Sequence, residues 1–230
     1  MRISAIQLSF LCFCFSLAAA PARSADEQAL FTLDESVWVT FYDLPSRRFH
    51  AIRDEFVRRD FQTASRNLVT AAGFLRVEAG RAVPELRDAI NGVADKLDGM
   101  SRVLGESTVT AADLDAEFAR AHWLLSQHYL VMALRSRETG AHSNAGHYLW
   151  ATAHHMERAV LWSNARIDRN VLNALDSIRE MSNKLRDGQR PQRVYRDRPI
   201  RLAAQTLIAV GEHLNRNVRI RELVEPELAR

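Results

Sequence analysis

Six of the eight histidines in this 230-residue sequence fall between His122 and His155. Histidine is the side chain best suited to metal ligation and proton transfer near neutral pH, so such a concentration is where chemistry is sought first. His147, Trp150, His154 and Glu157 stand at i, i+3, i+7 and i+10, which puts them on one face if the segment is helical. His122 and Tyr129 share a face of the segment before it. Two imidazoles from one helix, a third from its neighbour and a carboxylate form a donor set for Zn²⁺, Ni²⁺ or Cu²⁺, or an axial pair for b-type haem. The tight signatures are missing. No His-Glu-x-x-His occurs, nor the paired Glu-x-x-His units of di-iron bundles. Packing with a hydrogen-bonded ring nitrogen is therefore the first expectation for these histidines, and a metal site at His122, His147, His154 and Glu157 the second.

Arginine supplies the other candidate chemistry. The stretch 186–198 holds Arg190, Arg193, Arg196 and Arg198 in a polar connector. Guanidinium pairs bidentately with carboxylate and phosphate, so these four are the candidate anion-binding residues, with lipid head groups among the anions considered. Asp187 and Asp197 are local partners for a plain solvated loop. No Gly-x-Ser-x-Gly elbow, P-loop or dinucleotide glycine fingerprint is present. The expectation is a non-enzymatic protein that binds another protein or itself.

Residues 1–24 read as a secretory signal peptide. Arg2 is the basic start, Leu8 to Ala20 the apolar run, and Ala20-Pro21-Ala22 and Ala22-Arg23-Ser24 fit small-x-small cleavage. The apolar core falls short of the roughly 20 residues that a spanning helix needs. This implies export, with the periplasm of a Gram-negative cell as the expected compartment. Cys12 and Cys14, the only cysteines, leave with the leader, so the mature chain has neither disulfide nor thiol nucleophile. Cleavage also removes Arg2 and Arg23 but no acid, leaving 29 basic against 28 acidic residues. A net charge near +1 does not point to a nucleic-acid partner.

The elements that must position these residues are helical. Residues 25–45 are expected to be an extended arm, or else to carry a short first helix, because Val37 to Tyr42 is β-branched and aromatic and is closed by Asp43 and Pro45. From residue 46 to 230, apolar residues recur at helical spacing. A helix is expected over 46–59, then one capped by Asp60, then one opened by Pro84 and running to about Leu104. Thr110 with Asp113 has the form of a capping box for a helix ending near Gly140.

Leu149, Ala153, Met156, Val160, Ser163, Ile167, Val171, Ala174, Ile178, Met181 and Leu185 recur at threes and fours. They predict one helix of roughly 40 residues, with Asn164 and 168–170 as its weakest points. Pro199 starts the last predicted helix. The fold class that follows is all-α, an antiparallel bundle of five or six helices. Within it, Asp60-Phe61-x-x-Ala64-x3-Leu68-x2-Ala71 resembles the second helix of a tetratricopeptide unit over about a dozen residues. That resemblance implies close approach of paired helices at the small residues.

Overall fold

The computed structural model describes residues 41–106, 108–188 and 198–228, all within one compact unit, 34–230. The described residues form eight α-helices: α1 Leu44–Val57, α2 Phe61–Arg81, α3 Pro84–Val103, α4 Ala111–Glu138, α5 His142–Trp162, α6 Arg169–Arg186, α7 Arg198–His213 and α8 Arg221–Leu228. No strand occurs among them. The all-α expectation holds, with more helices than the five or six expected. One difference lies in Arg221–Leu228, which forms a helix of its own after the turn at Leu214–Asn215.

The helix ends form where local chemistry dictates. Asp60 accepts from the Thr63 amide at the start of α2, and Pro84 occupies the first turn of α3, where its missing N–H costs nothing. Thr110 and Asp113 form the reciprocal capping box of α4. At the end of α4, Gly140 adopts φ +77°, and the Ala141 amide bonds back to the Ser136 carbonyl, the closure that a left-handed glycine permits. Leu44 and Pro45, assigned to the arm from sequence, instead open α1. Pro45 fits an early helix position as well as it fits a break. Phe41, Tyr42 and Asp43 form a short turn ahead of α1, and the rest of the arm, 25–40, and the signal-peptide reading lie outside the described residues.

The single helix of roughly 40 residues is corrected to two. Asn164 takes φ +53°, and the Ala165 amide bonds the Val160 carbonyl, closing α5 as Gly140 closes α4. Asp168 then caps α6 through the Asn170 amide at 2.6 Å. The predicted seam continues in part across the break: Ile178 and Leu185 keep their places in it, and Leu175 and Ser182 replace Ala174 and Met181. Leu149, Ala153, Met156 and Val160 are buried on α5 as the seam predicts, whereas α6 buries Leu175, Ile178, Ser182 and Leu185, and Ala174 and Met181 sit nearer the surface. A continuous apolar rhythm survives a turn because both helices face the same core.

Consecutive helices pair antiparallel. Arg76 of α2 meets Asp95 and Asp98 of α3, and Ser65 meets Ser101. His122 and Tyr129 of α4 lie against His155 and Tyr148 of α5. Gly146 of α5 abuts Ser182 and Leu185 of α6. Ala64, Leu68 and Ala71, the tetratricopeptide-like positions, are buried in the same apolar core as Phe49, Phe118 and Leu207. The core thus runs from α1 to α8 and encloses His122, His128 and His155.

Candidate functional site

Polar side chains converge at the centre of the bundle in two linked groups. The first is built on Glu78 of α2, a carboxylate with no solvent exposure. It sits three residues after Leu75 and seven after Ala71, so the apolar stripe of α2 carries it inward. Glu78 Oε2 lies 2.9 Å from His128 Nε2 and accepts from Arg81 Nη1 at 3.0 Å, while Oε1 accepts from the Tyr129 hydroxyl at 2.9 Å. Arg81 also donates to the Tyr148 hydroxyl. Burial opposes the charged carboxylate most strongly, but the bonds from His128 and Tyr129 and the Arg81 charge outweigh it and hold Glu78 below the usual glutamate range. A carboxylate only accepts, so His128 presents Nε2–H to it.

The second group is a pair of imidazoles. His122 Nδ1 of α4 and His155 Nδ1 of α5 stand 2.8 Å apart, and neither ring is exposed. A neutral imidazole has one donor and one acceptor, so one ring must be the Nδ1–H tautomer and the other the Nε2–H tautomer. Both Nε2 atoms are buried without a hydrogen-bond partner. Burial above all, then the neighbouring His154 and Arg158 charges, pushes the His122 pKa well below the ordinary histidine value. Burial does the same to His155, reinforced by His122 and His154 and opposed by the Tyr42 backbone.

Tyr129 joins the two groups. Its ring stacks on His155 at 5.2 Å and 9°, and on Tyr148 at 5.9 Å and 19°. Beyond the pair, His122 meets Phe49 edge-on, and Phe49 stacks on Phe118 at 4.3 Å. The centre of the bundle is therefore a continuous run of rings, an arrangement that contributes packing energy beyond area alone.

The metal donor set expected from sequence is not brought together. His154 Nε2 points instead to Ser46 Oγ at 2.7 Å and Asp43 Oδ1 at 3.1 Å. Burial lowers its pKa to about 4 despite Asp43, because desolvation of the ring outweighs one half-exposed carboxylate. Glu157 is held by Arg179 at 2.6 Å, and His147 lies half-buried beside Arg186. Two helical turns, about 10 Å of axis, separate His147 from His154, too far for one ion to bridge. Among the described residues no three His, Cys, Asp or Glu side chains group as a metal site requires. The partner that His122 does find, His155, is the residue next to the expected one.

No protein-family model, curated protein or solved structure matches this chain. Open grooves among the described residues lie between α6 and α7, beside α8, between α3 and α4 and beside the end of α1, and none of these is lined by Glu78, His128, His122 or His155. The groove between α6 and α7 has the most distinctive chemistry. Arg198, Arg201 and Lys184 line it together with Ala174, Met181 and Leu202, and Asn173, Ser177 and Gln205 supply neutral polar atoms. Lys184 is paired with Glu180 at 2.6 Å, so Arg198 and Arg201 carry the groove's net positive charge. The Arg201 Nε is buried with no acceptor. Of the four arginines singled out in the sequence, Arg198 is in this groove, while Arg190, Arg193 and Arg196 lie outside the described residues. Among the described residues, no helix is long and apolar enough to cross a membrane.

Proposed function

We propose that this chain is an exported, periplasmic, non-enzymatic helical-bundle protein that acts by binding a protein partner. The partner presents an acidic segment, and the segment lies in the groove between α6 and α7. The observation that carries the reading is the pairing of two guanidiniums, Arg198 and Arg201, with the apolar side chains of Ala174, Met181 and Leu202 in one open groove. Guanidinium binds carboxylate bidentately, and adjacent apolar surface supplies the desolvated contact that gives a protein interface most of its energy.

A further support is the disposition of the titratable core. General acid–base or metal chemistry needs convergent polar groups facing a cavity that substrate can enter. Glu78 and His128 bond each other and His122 bonds His155, all inside the bundle, and none of the four lines the grooves described above among the described residues.

Photo-cross-linking in cells tests the reading. A photoreactive residue replacing Ser177, in the groove, should give a discrete heavier adduct with another protein in the periplasmic fraction. The same residue replacing Thr70, exposed on α2, should not. No adduct from position 177 is what a phosphate or a lipid head group in the groove would give, and it contradicts the reading. Equal adducts from both positions contradict it as well.

A further inference from the structure

Three imidazoles of α4 and α5 lie directly against the start of α1. Phe49 is edge-on to His122 at 5.2 Å and the Tyr42 ring is edge-on to His154 at 5.5 Å. Ser46 and Asp43 both reach the His154 ring nitrogen, and the Tyr42 backbone faces His155. The later turns of α1 are fastened differently, by Arg53 to Asp115 at 2.8 Å and by Glu55 to Asn67. The first turns therefore face imidazoles on α4 and α5, with Arg48 also donating to Asn67 of α2 at 3.0 Å, and the last turns rest on an ion pair and an amide.

A proton added to the His122–His155 pair keeps the Nδ1–H···Nδ1 bond but places a full charge in the core. Both Nε2 atoms then become donors with no partner within hydrogen-bond distance, and only the Tyr42 backbone beside His155 favours the added charge. The other charges around the pair do not offset this. Arg158, His50 and His154 face it as cations or potential cations. Among the carboxylates of the packed elements, Asp43 bonds His154, Asp54 faces His50, Asp115 is held by Arg53 and Glu157 by Arg179. Glu78 is engaged by His128, Tyr129 and Arg81. Water is the remaining source of solvation, and the shortest structural change that admits it is lifting the first turns of α1.

We infer that the His122–His155 pair is an acid-operated latch on α1. Proton uptake by the buried rings releases residues 44–52 from α4 and α5 and uncovers Phe118, which Phe49 stacks on, and Trp162, which His50 covers at 4.9 Å, while the other helices stay folded. The latch is independent of the groove between α6 and α7 and stands whether or not that groove binds a protein.

Hydrogen exchange of the intact chain, corrected for the intrinsic effect of pH, tests it. Between about pH 7 and about pH 5, protection of the α1 amides should fall about tenfold per pH unit for each proton taken up on opening. Protection of α2 and α3 should hold. Histidine NMR of the same protein should show His122 and His155 titrating in the range where α1 opens. In His155→Gln, or in His122→Gln if the first variant does not fold, the fall in α1 protection should be shallower by about tenfold per pH unit, because one buried ring fewer takes up a proton. The inference is overturned if α1 protection is flat with pH, or if it is lost in step with α2 and α3. It is also overturned if α1 opens outside the range in which the two rings titrate, or if the pH slope of α1 protection is unchanged in a folded glutamine variant.

Discussion

A side chain at Gly146 would collide with the helix beside it: an added Cβ would fall 2.8 Å from Leu185 Cβ and 2.8 Å from the Ser182 carbonyl oxygen. This contact fixes how closely α5 and α6 pack. Gly146→Ala should lower stability by about 1–3 kcal/mol, the usual cost of overpacking. Gly92 of α3 has nothing within 4 Å of its Cβ position. Gly92→Ala should be neutral or should stabilise by up to about 1 kcal/mol through helix propensity. Urea unfolding of the two variants checks both, and equal effects would contradict the close approach.

The helices were legible in sequence because their caps are local. Asp60, Pro84, the Thr110–Asp113 box and Gly140 each act within one turn, and each stands where the spacing placed it. The split of α5 from α6 was less legible. Asn164 and Asp168 were visible as weak points, but the apolar rhythm across them is set by the shared core, and periodicity alone reads it as one helix. Among the candidate site residues, His122 was legible and its partner was not. His154 and His155 are adjacent, and which of them faces α4 depends on the rotation of α5 against its neighbours. Glu78 was not singled out, although its step of three from Leu75 and seven from Ala71 keeps the phase of the buried stripe. A carboxylate in phase with leucines was the available signal.

Stability should depend on pH in two separable windows. His122, His154 and His155 have folded-state pKa values below the unfolded histidine value near 6.5. The unfolded chain therefore binds more protons below that pH. The stabilising contribution of the neutral rings is complete above about pH 6.5 and is lost as pH falls below it, by about 1.4 kcal/mol per pH unit for each proton involved. Glu78, held below its ordinary range, contributes stability present above the unfolded glutamate value and lost as pH falls through its lower folded value. Denaturant midpoints measured from about pH 8 to about pH 4 should be flat at first and then decline from about 6.5. A decline that begins only in the carboxylate range would contradict the account of the histidines.

Removing the Glu78 carboxylate should be costly. Glu78→Ala takes the acceptor from His128 and removes one from the Tyr129 hydroxyl, both inside the bundle. The expected loss is about 3–5 kcal/mol, as for breaking a buried charged pair. Glu78→Gln retains one acceptor oxygen and should lose less. Equilibrium unfolding that ranks the two variants the other way would show that Glu78 is not held by these bonds.

His147 and His154 should respond to added metal as ordinary residues do. They lie two helical turns apart, and His154 is bonded to Ser46 and Asp43. Thermal melts with Zn²⁺, Ni²⁺ or Cu²⁺ at neutral pH should shift the wild type, His147→Ala and His154→Ala alike. A metal-induced rise in Tm that disappears in either variant would restore the metal reading of that helix face.

The claim that function resides in the groove between α6 and α7 and not in the imidazole core is tested most directly by comparing two variants in the cross-linking experiment. With the photoreactive residue at position 177, Arg201→Glu reverses a groove charge, and His122→Gln alters the buried pair. Both are measured at neutral pH after circular dichroism has shown the helical spectrum intact. The account predicts that Arg201→Glu abolishes the protein adduct and that His122→Gln retains it. Retention in Arg201→Glu together with loss in His122→Gln would contradict it.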